Sequence, residues 1–312
     1  MWYDQTGGTK GEDKMEWISA IRRSIEYIET HLGDGIGIDE AAAEAHISPY
    51  IFCKGFAVMT GFSVSEYIRN RRLYIAALAL RETKKSVIDI ALDACYDTPE
   101  SFSKAFTRFH GSTPTGVRGG APYRTFLPLR ISVTVQGGDQ MDCKITTMFG
   151  MKLIGFERVF SMETAYAEIP KYWDEICEKY ANNVYAGNPP ANAYEKALVD
   201  NCIGEYGVCV DDIGGGKFRY LIAGKYTGGE VPEGMAIYEF PRGDWAVFDC
   251  VGPIPEALQS LNTRIFKEWL PGNTEYELSG NANVEWYDCV SGEKTDPDYH
   301  SAIWLPVKRK KV

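Results

Sequence analysis

The stretch SPYIFCKGFAVMTG, Ser48 to Gly61, returns fifty positions later as TPESFSKAFTRFHG, Thr98 to Gly111. Pro49 falls on Pro99, Phe52 on Phe102, Lys54 on Lys104, Phe56 on Phe106 and Gly61 on Gly111. The register holds upstream, where Ile38, Asp39 and Ala41 fall on Ile88, Asp89 and Ala91. A repeat at one fixed offset means one supersecondary unit used twice. Each copy opens with a hydroxyl residue suited to an N-cap and a proline suited to the first helical position, then closes on a glycine about three turns later. In the second copy Phe102, Ala105, Phe106 and Phe109 share a face at helical spacing, leaving Glu100, Ser103, Lys104, Thr107 and Arg108 on the other. In the first copy Phe52, Phe56 and Met59 read as inward, and Tyr50, Cys53, Lys54 and Ala57 as outward. A short apolar helix and a turn precede each copy: Ile38 to Ala45 with His46-Ile47, and Val87 to Cys95 with Tyr96-Asp97. Each unit therefore reads as a helix-turn-helix, whose second helix suits a DNA major groove.

Outward from this repeat, Trp17 to Leu32 places Ile18, Ile21, Ile25, Ile28 and Leu32 on one side of an amphipathic helix. Ser65 to Glu82, with Ser65 as its cap, reads as a long helix joining the two units. The stretch from Trp17 to Gly119 resembles the AraC/XylS-type DNA-binding domain, on the strength of IDIALDACYDTPESFSKAFTRFHGSTP. That resemblance implies two reading helices about one DNA turn apart. By motif position Tyr50, Cys53 and Lys54, with Pro99, Glu100, Ser103 and Lys104, take its base-facing places, and Ser48 and Arg108 complete the DNA-facing set. Lysine suits guanine O6/N7, glutamate suits cytosine N4 and serine suits either, whereas Cys53 and Pro99 are poor readers. Arg71 and Arg72 read as ion-pair or phosphate residues. The expected partner is double-stranded DNA, with RNA polymerase as a second one.

The chain has 312 residues, 45% of them hydrophobic, enough for two or three domains with real cores. No apolar run approaches a membrane span, and the N-terminus lacks the layout of a signal peptide, so a cytoplasmic protein is expected. Eight cysteines without a CxxC pair read as reduced thiols, and four dispersed histidines offer no metal cluster, so neither metal nor cofactor is expected. The net charge of −10 is unusual for a DNA binder. Residues 16–125 hold 13 basic and 13 acidic side chains, whereas residues 126–312 hold 18 and 27, a balance of −9. Arg69, Arg71, Arg72, Lys104 and Arg108 remain for a phosphate-facing patch.

Residues 1–15 are polar, glycine-bearing and aperiodic, and read as a disordered tail. A helical domain over 16–120 is followed by a linker over 121–140, with a strand at Arg130 to Val135 and a turn at Gln136 to Gln140. From 141 to 312 the texture is that of strands, and a second repeat appears at an offset of eighty. Glu205-Tyr206-Gly207-Val208-Cys209-Val210 lines up with Glu285-Trp286-Tyr287-Asp288-Cys289-Val290. Around these lie a strand (Lys152 to Val159; Ala236 to Cys250), a helix begun by Ile169-Pro170 or Ile254-Pro255, and two closing strands, the second being Phe218 to Tyr226 or Ser301 to Lys308. Two pseudo-symmetric β-α-β-β halves make an α+β domain.

This part resembles the GyrI-like effector-binding domain of Rob-type and BmrR-type regulators, through MAIYEFPRGDWAVFDCVGPIPEAL, NVEWYD and YHSAIWLPV. On a strand Glu285 and Tyr287 project to one face and Trp286 to the other. A carboxylate among aromatics in an acidic domain suits a cationic or amphipathic aromatic molecule, and Tyr206, Tyr238, Trp245, Phe248 and Trp304 are the expected apolar walls. Ala302 stands where related domains often carry a second glutamate, which implies a less cationic ligand. The leading reading is a one-component transcription regulator, monomer or homodimer, sensing a small-molecule effector. A hydrolase using Glu285 and Tyr287, and a drug-sequestering protein, are the alternatives.

Overall fold

The computed structural model describes residues 16–131, 141–280, 282–289 and 293–310. The expected tail at 1–15, most of the expected linker strand and the turn that follows it, and residue 290 of the second repeat lie outside these. The chain divides into two compact units, one of residues 18–135 and one carrying residues from 136 onward.

The helical unit runs α1 (Glu16–Thr30), α2 (Ile38–Ala45), α3 (Pro49–Thr60), α4 (Val64–Glu82), α5 (Val87–Asp93), α6 (Pro99–His110) and α7 (Pro114–Arg118). The caps of the repeat form as its residues dictate. Ser48 Oγ accepts from the Ile51 amide at 3.4 Å, and Thr98 Oγ1 from the Ser101 amide at 3.2 Å. Gly61 and Gly111 end their helices at φ +78° and +74°, a region open to glycine. The cap of α4 is Ser63, accepting from the Glu66 amide at 3.1 Å, and not Ser65. The S-x-x-E spacing of Ser63 and Glu66 is the capping-box signature, and it sets the start two residues earlier. Phe102 and Phe106 are fully buried against Leu73, Ala76, Ala77 and Leu80 of α4.

Two polar arrangements lock this unit. The Arg71 guanidinium grips Glu29 of α1 through Nε–Oε1 at 2.8 Å and Nη2–Oε2 at 2.7 Å, and also donates to the Phe126 carbonyl. Tyr67 Oη donates to Glu29 Oε1 at 2.6 Å and accepts from the Leu129 amide at 3.1 Å. Arg72 Nε donates to the Leu32 carbonyl at 2.7 Å, so Arg71 and Arg72 both serve structure. Phe126 meets Phe62, Tyr67 and Phe109 at ring distances of 5.3, 6.0 and 5.9 Å, bridging both helix-turn-helix units. Buried His110 holds the Leu73 carbonyl through Nε2 (3.0 Å) and accepts the Arg124 amide at Nδ1 (3.1 Å), which fixes the neutral tautomer.

The second unit is a sheet ordered β1-β6-β9-β8-β3-β4-β2-β5, with β7 (Tyr276–Leu278) on β9. Its strands are β1 (Lys144–Met148), β2 (Met151–Ser161), β3 (Tyr206–Gly214), β4 (Lys217–Lys225), β5 (Met235–Phe240), β6 (Gly243–Val251), β8 (Asn283–Tyr287) and β9 (His300–Arg309). Helices α8 (Ala165–Ile176), α9 (Asn182–Tyr185) and α10 (Ala193–Asp200) lie between β2 and β3, and α11 (Glu256–Arg264) and α12 (Leu270–Gly272) between β6 and β7. A π-helical turn follows α8 at Cys177–Ala181 and α11 at Ile265–Trp269, the same place in each half.

The order is symmetric about the β8–β3 ladder, where Tyr206 stands opposite Trp286, its own equivalent in the repeat. The α+β architecture is the expected one, but each half opens on two consecutive strands that do not pair with each other. The single strand expected over Ala236 to Cys250 is β5 and β6, parted at Pro241-Arg242, because proline cannot donate to a ladder. The opening strands are exchanged: β1 pairs with β6 and β5 with β2, so each half closes the other's sheet. Helix α8 starts at Ala165, a turn before Ile169-Pro170, with Pro170 inside it.

Candidate ligand site and nucleic-acid interface

On α6 the outward face expected from the sequence is present. Glu100, Lys104 and Arg108 are exposed at successive turns, with Pro99 and Ser103 half-buried beside them. On α3 the match is uneven: Ser48 caps the helix, and Tyr50 and Cys53 are half-buried. Lys54, expected outward, is only 8% exposed, its Nζ 5.9 Å from the Tyr50 ring centroid. Apart from Lys54 this helix carries no charge, so it buries a wider arc than α6 and takes the lysine's apolar stem with it. Arg71, 5% exposed, is spent inside the fold, whereas Arg69 remains exposed.

In the sheet, register decides which side chains meet. Glu285 stands opposite Gly207 on β3 and Ile303 on β9, and Cys209 stands opposite Tyr220. Residues opposite one another in a ladder share a face. Glu285, Tyr287, Tyr220 and Phe248 therefore lie on one side of the sheet. Tyr206, opposite Trp286, and Trp304, opposite Val284, lie on the other, with Trp245 and Tyr238. These four pack against Val208, Leu221 and Val284 in the sheet's own core, so they do not wall Glu285. Phe248 shares the face of Glu285 but is two strands away, edge-on to Trp269 at 4.9 Å. Ala302 stands opposite Trp286, so its side chain does not bear on the charge beside Glu285.

What surrounds Glu285 is a different aromatic set. Tyr287 Oη donates to Glu285 Oε2 at 2.8 Å. Trp173, brought over this face by α8, donates through Nε1 to Tyr220 Oη at 2.9 Å, and its ring lies 5.5 Å from that of Tyr287 at 77°. Burial, and then the Glu285 charge, push both the Tyr220 and Tyr287 phenols well above their ordinary range, so both keep their protons. Gly207 makes the arrangement fit, since a Cβ there would stand 2.3 Å from Tyr220 Oη and 3.4 Å from Tyr287 Cε2. Exposed Lys294 reaches over the set, its Nζ 4.7 Å from the Trp173 centroid and 5.2 Å from the Tyr287 centroid. One half-exposed carboxylate, three aromatic side chains and one ammonium thus converge on a single face.

Residues 144–307, more than half the chain, match the family of the integron-associated effector binding protein, and residues 41–120 match the helix-turn-helix domain. The regulatory protein SoxS of Salmonella typhimurium is 36% identical over 98 residues, 31% of this chain and 92% of SoxS. The chain belongs to the AraC family and carries an integron-type effector-binding domain. The right origin-binding protein of Escherichia coli K12 is 31% identical over 179 residues, 56% of this chain and 60% of that protein, so the chain matches less than two thirds of its length. Similarity extends to the structure of SAV2435 bound to tetraphenylphosphonium, at a TM-score of 0.44 and 19% identity over 54% of this chain and 94% of the other. The AraC-family relatives are regulators, not enzymes. Among the described residues no helix is long and apolar enough to cross a membrane.

In this AraC-family chain Trp173, Tyr220 and Lys294 are the site residues that sequence reasoning passed over. Tyr220 shares a face of β4 with Phe218 and Ile222, and only the pairing of β4 with β3 brings it beside Gly207. Trp173 lies next to Tyr172, which is buried, on a helix read only for its start. A tryptophan among Lys171, Asp174 and Glu175 was the available signal.

Proposed function

We propose that this protein is a one-component transcription regulator. In this reading α3 and α6 bind duplex DNA, and the Glu285 site binds a small aromatic cation that biases that binding. The observation that carries it is the Glu285 carboxylate set among Trp173, Tyr220 and Tyr287 on one sheet face. A half-exposed carboxylate held by a phenol, beside two ring faces, meets the needs of a flat or propeller-shaped cation through charge pairing and cation–π contact. The balance of −9 over residues 126–312 favours the approach of such a molecule. Base reading falls chiefly on α6, whose Glu100, Lys104 and Arg108 are exposed.

Two arms test the reading on the full-length chain. Selection from random duplex DNA at moderate salt enriches a bipartite motif with half-sites about 10 base pairs apart, and Lys104→Ala relaxes the sequence at one position of it. Enrichment of no sequence above background sinks the DNA arm. Crystal violet, an aromatic cation, quenches the tryptophan emission, and Glu285→Gln weakens its binding by about tenfold, since one charge-assisted contact is worth roughly 1.4 kcal/mol. Equal affinity in both proteins refutes the cation arm.

A further inference from the structure

The cation seat of this site already has an occupant from the chain itself. Lys294 Nζ stands within cation–π range of both Trp173 and Tyr287, at 4.7 and 5.2 Å, in the corner that the two rings form at 77°. Its backbone is pinned, the Ile254 amide donating to the Lys294 carbonyl at 2.8 Å, while its side chain is exposed. The ammonium is therefore tethered near the rings but keeps water on its outer side. Burial raises the Cys177 thiol and pushes that of Cys289 up to about 11, and the Lys294 charge opposes both shifts.

We infer that Lys294 is a built-in competitor for the ligand's cation, and that it sets the affinity and charge selectivity of the site. This rests on the cation-binding reading above and adds to it. A ligand cation must either displace the ammonium from the Trp173–Tyr287 corner or sit beside a like charge. Both lower the apparent affinity by the fraction of time the seat is taken. A tethered group competes at an effective concentration in the millimolar range, so the penalty does not depend on ionic conditions alone. An anionic aromatic ligand meets the opposite balance, since Lys294 is then a partner for it. Exposed cation–π contacts are weak, so the competition is a matter of a few-fold and not of all or none.

The test uses the full-length chain and two probes, crystal violet and the anionic dye 8-anilinonaphthalene-1-sulfonate, each titrated against tryptophan emission. Lys294→Ala tightens crystal violet two- to five-fold and weakens the anionic dye. Lys294→Glu moves both further in the same directions, and Lys294→Arg stays close to wild type. Unchanged crystal violet affinity in Lys294→Ala and Lys294→Glu overturns the competitor role, and if Glu285→Gln still weakens the dye, the cation site itself stands. Absence of crystal violet binding in every variant, wild type included, overturns the site and the competitor together.

Discussion

Arg71→Met offers the sharpest test of what holds the helical unit together. The substitution keeps an apolar stem of similar length and removes a bidentate contact to Glu29 together with a bond to the Phe126 carbonyl. Breaking a buried pair from one side costs about 3–5 kcal/mol. Two features reduce that figure here: the Glu29 side chain retains 19% exposure, and Tyr67 continues to donate to it. A loss of roughly 2–3 kcal/mol remains, about 6–15 °C in Tm for a unit of this size. The Arg71→Met/Glu29→Gln double variant removes the stranded charge and recovers to within ~1 kcal/mol of wild type. Thermal and urea unfolding of the full-length chain, followed by circular dichroism at 222 nm, supplies the cycle. A single-variant cost under 0.5 kcal/mol, or strictly additive losses in the double variant, would refute the argument that this pair ties α1, α4 and the Phe126 segment together.

Three further outcomes follow from the geometry. Gly207→Ala puts a methyl 2.3 Å from Tyr220 Oη; it should shift the Trp173 emission and weaken crystal violet at least tenfold at a stability cost of about 1–3 kcal/mol, and wild-type binding would show that Tyr220 does not shape the site. Burial holds the His110 imidazole below its ordinary 6.5. The unfolded chain therefore takes up a proton near that pH that the folded chain refuses, so stability is complete above 6.5 and falls as pH falls toward the lowered folded value. Urea midpoints between pH 8 and 5 should show this decline, and His110→Gln, which can offer the same donor and acceptor, should flatten it; an equal slope in both proteins would place the proton elsewhere. Lys104→Met should lower affinity for the selected duplex and reduce the salt slope by about one, whereas Lys54→Met should leave both unchanged, and equal effects would mean that the buried lysine is available to DNA.

The residues show unevenly how much of this was legible. The helix-turn-helix pair could be read because its signals are local: a hydroxyl cap, a proline, two phenylalanines a turn apart and a glycine, repeated at one offset. The start of α4 is also a local signal, since Ser63 Oγ takes the Glu66 amide two residues before Ser65. Lys54 was misplaced because the repeat equates it with Lys104, while burial depends on how polar the rest of each helix is, and α3 is nearly apolar where α6 is not.

The ligand site was half legible for a different reason. Alternation along β8 assigns Glu285 and Tyr287 to one face from the sequence alone, and Trp286 to the other. Which strands stand beside β8 is a matter of topology, and the exchange of opening strands between the halves cannot be seen in any one segment. Tyr206 and Trp304 look like companions of Glu285 along the chain, yet a one-residue step of register puts each on the opposite face. Tyr220 is brought in by the β3–β4 hairpin, and Trp173 by a helix that crosses the sheet. The same reasoning bears on the expectation of a less cationic ligand, which was built on Ala302. That residue is on the face away from Glu285, and in the inference above the same bias against cations comes instead from Lys294, eight positions upstream in a loop without periodicity.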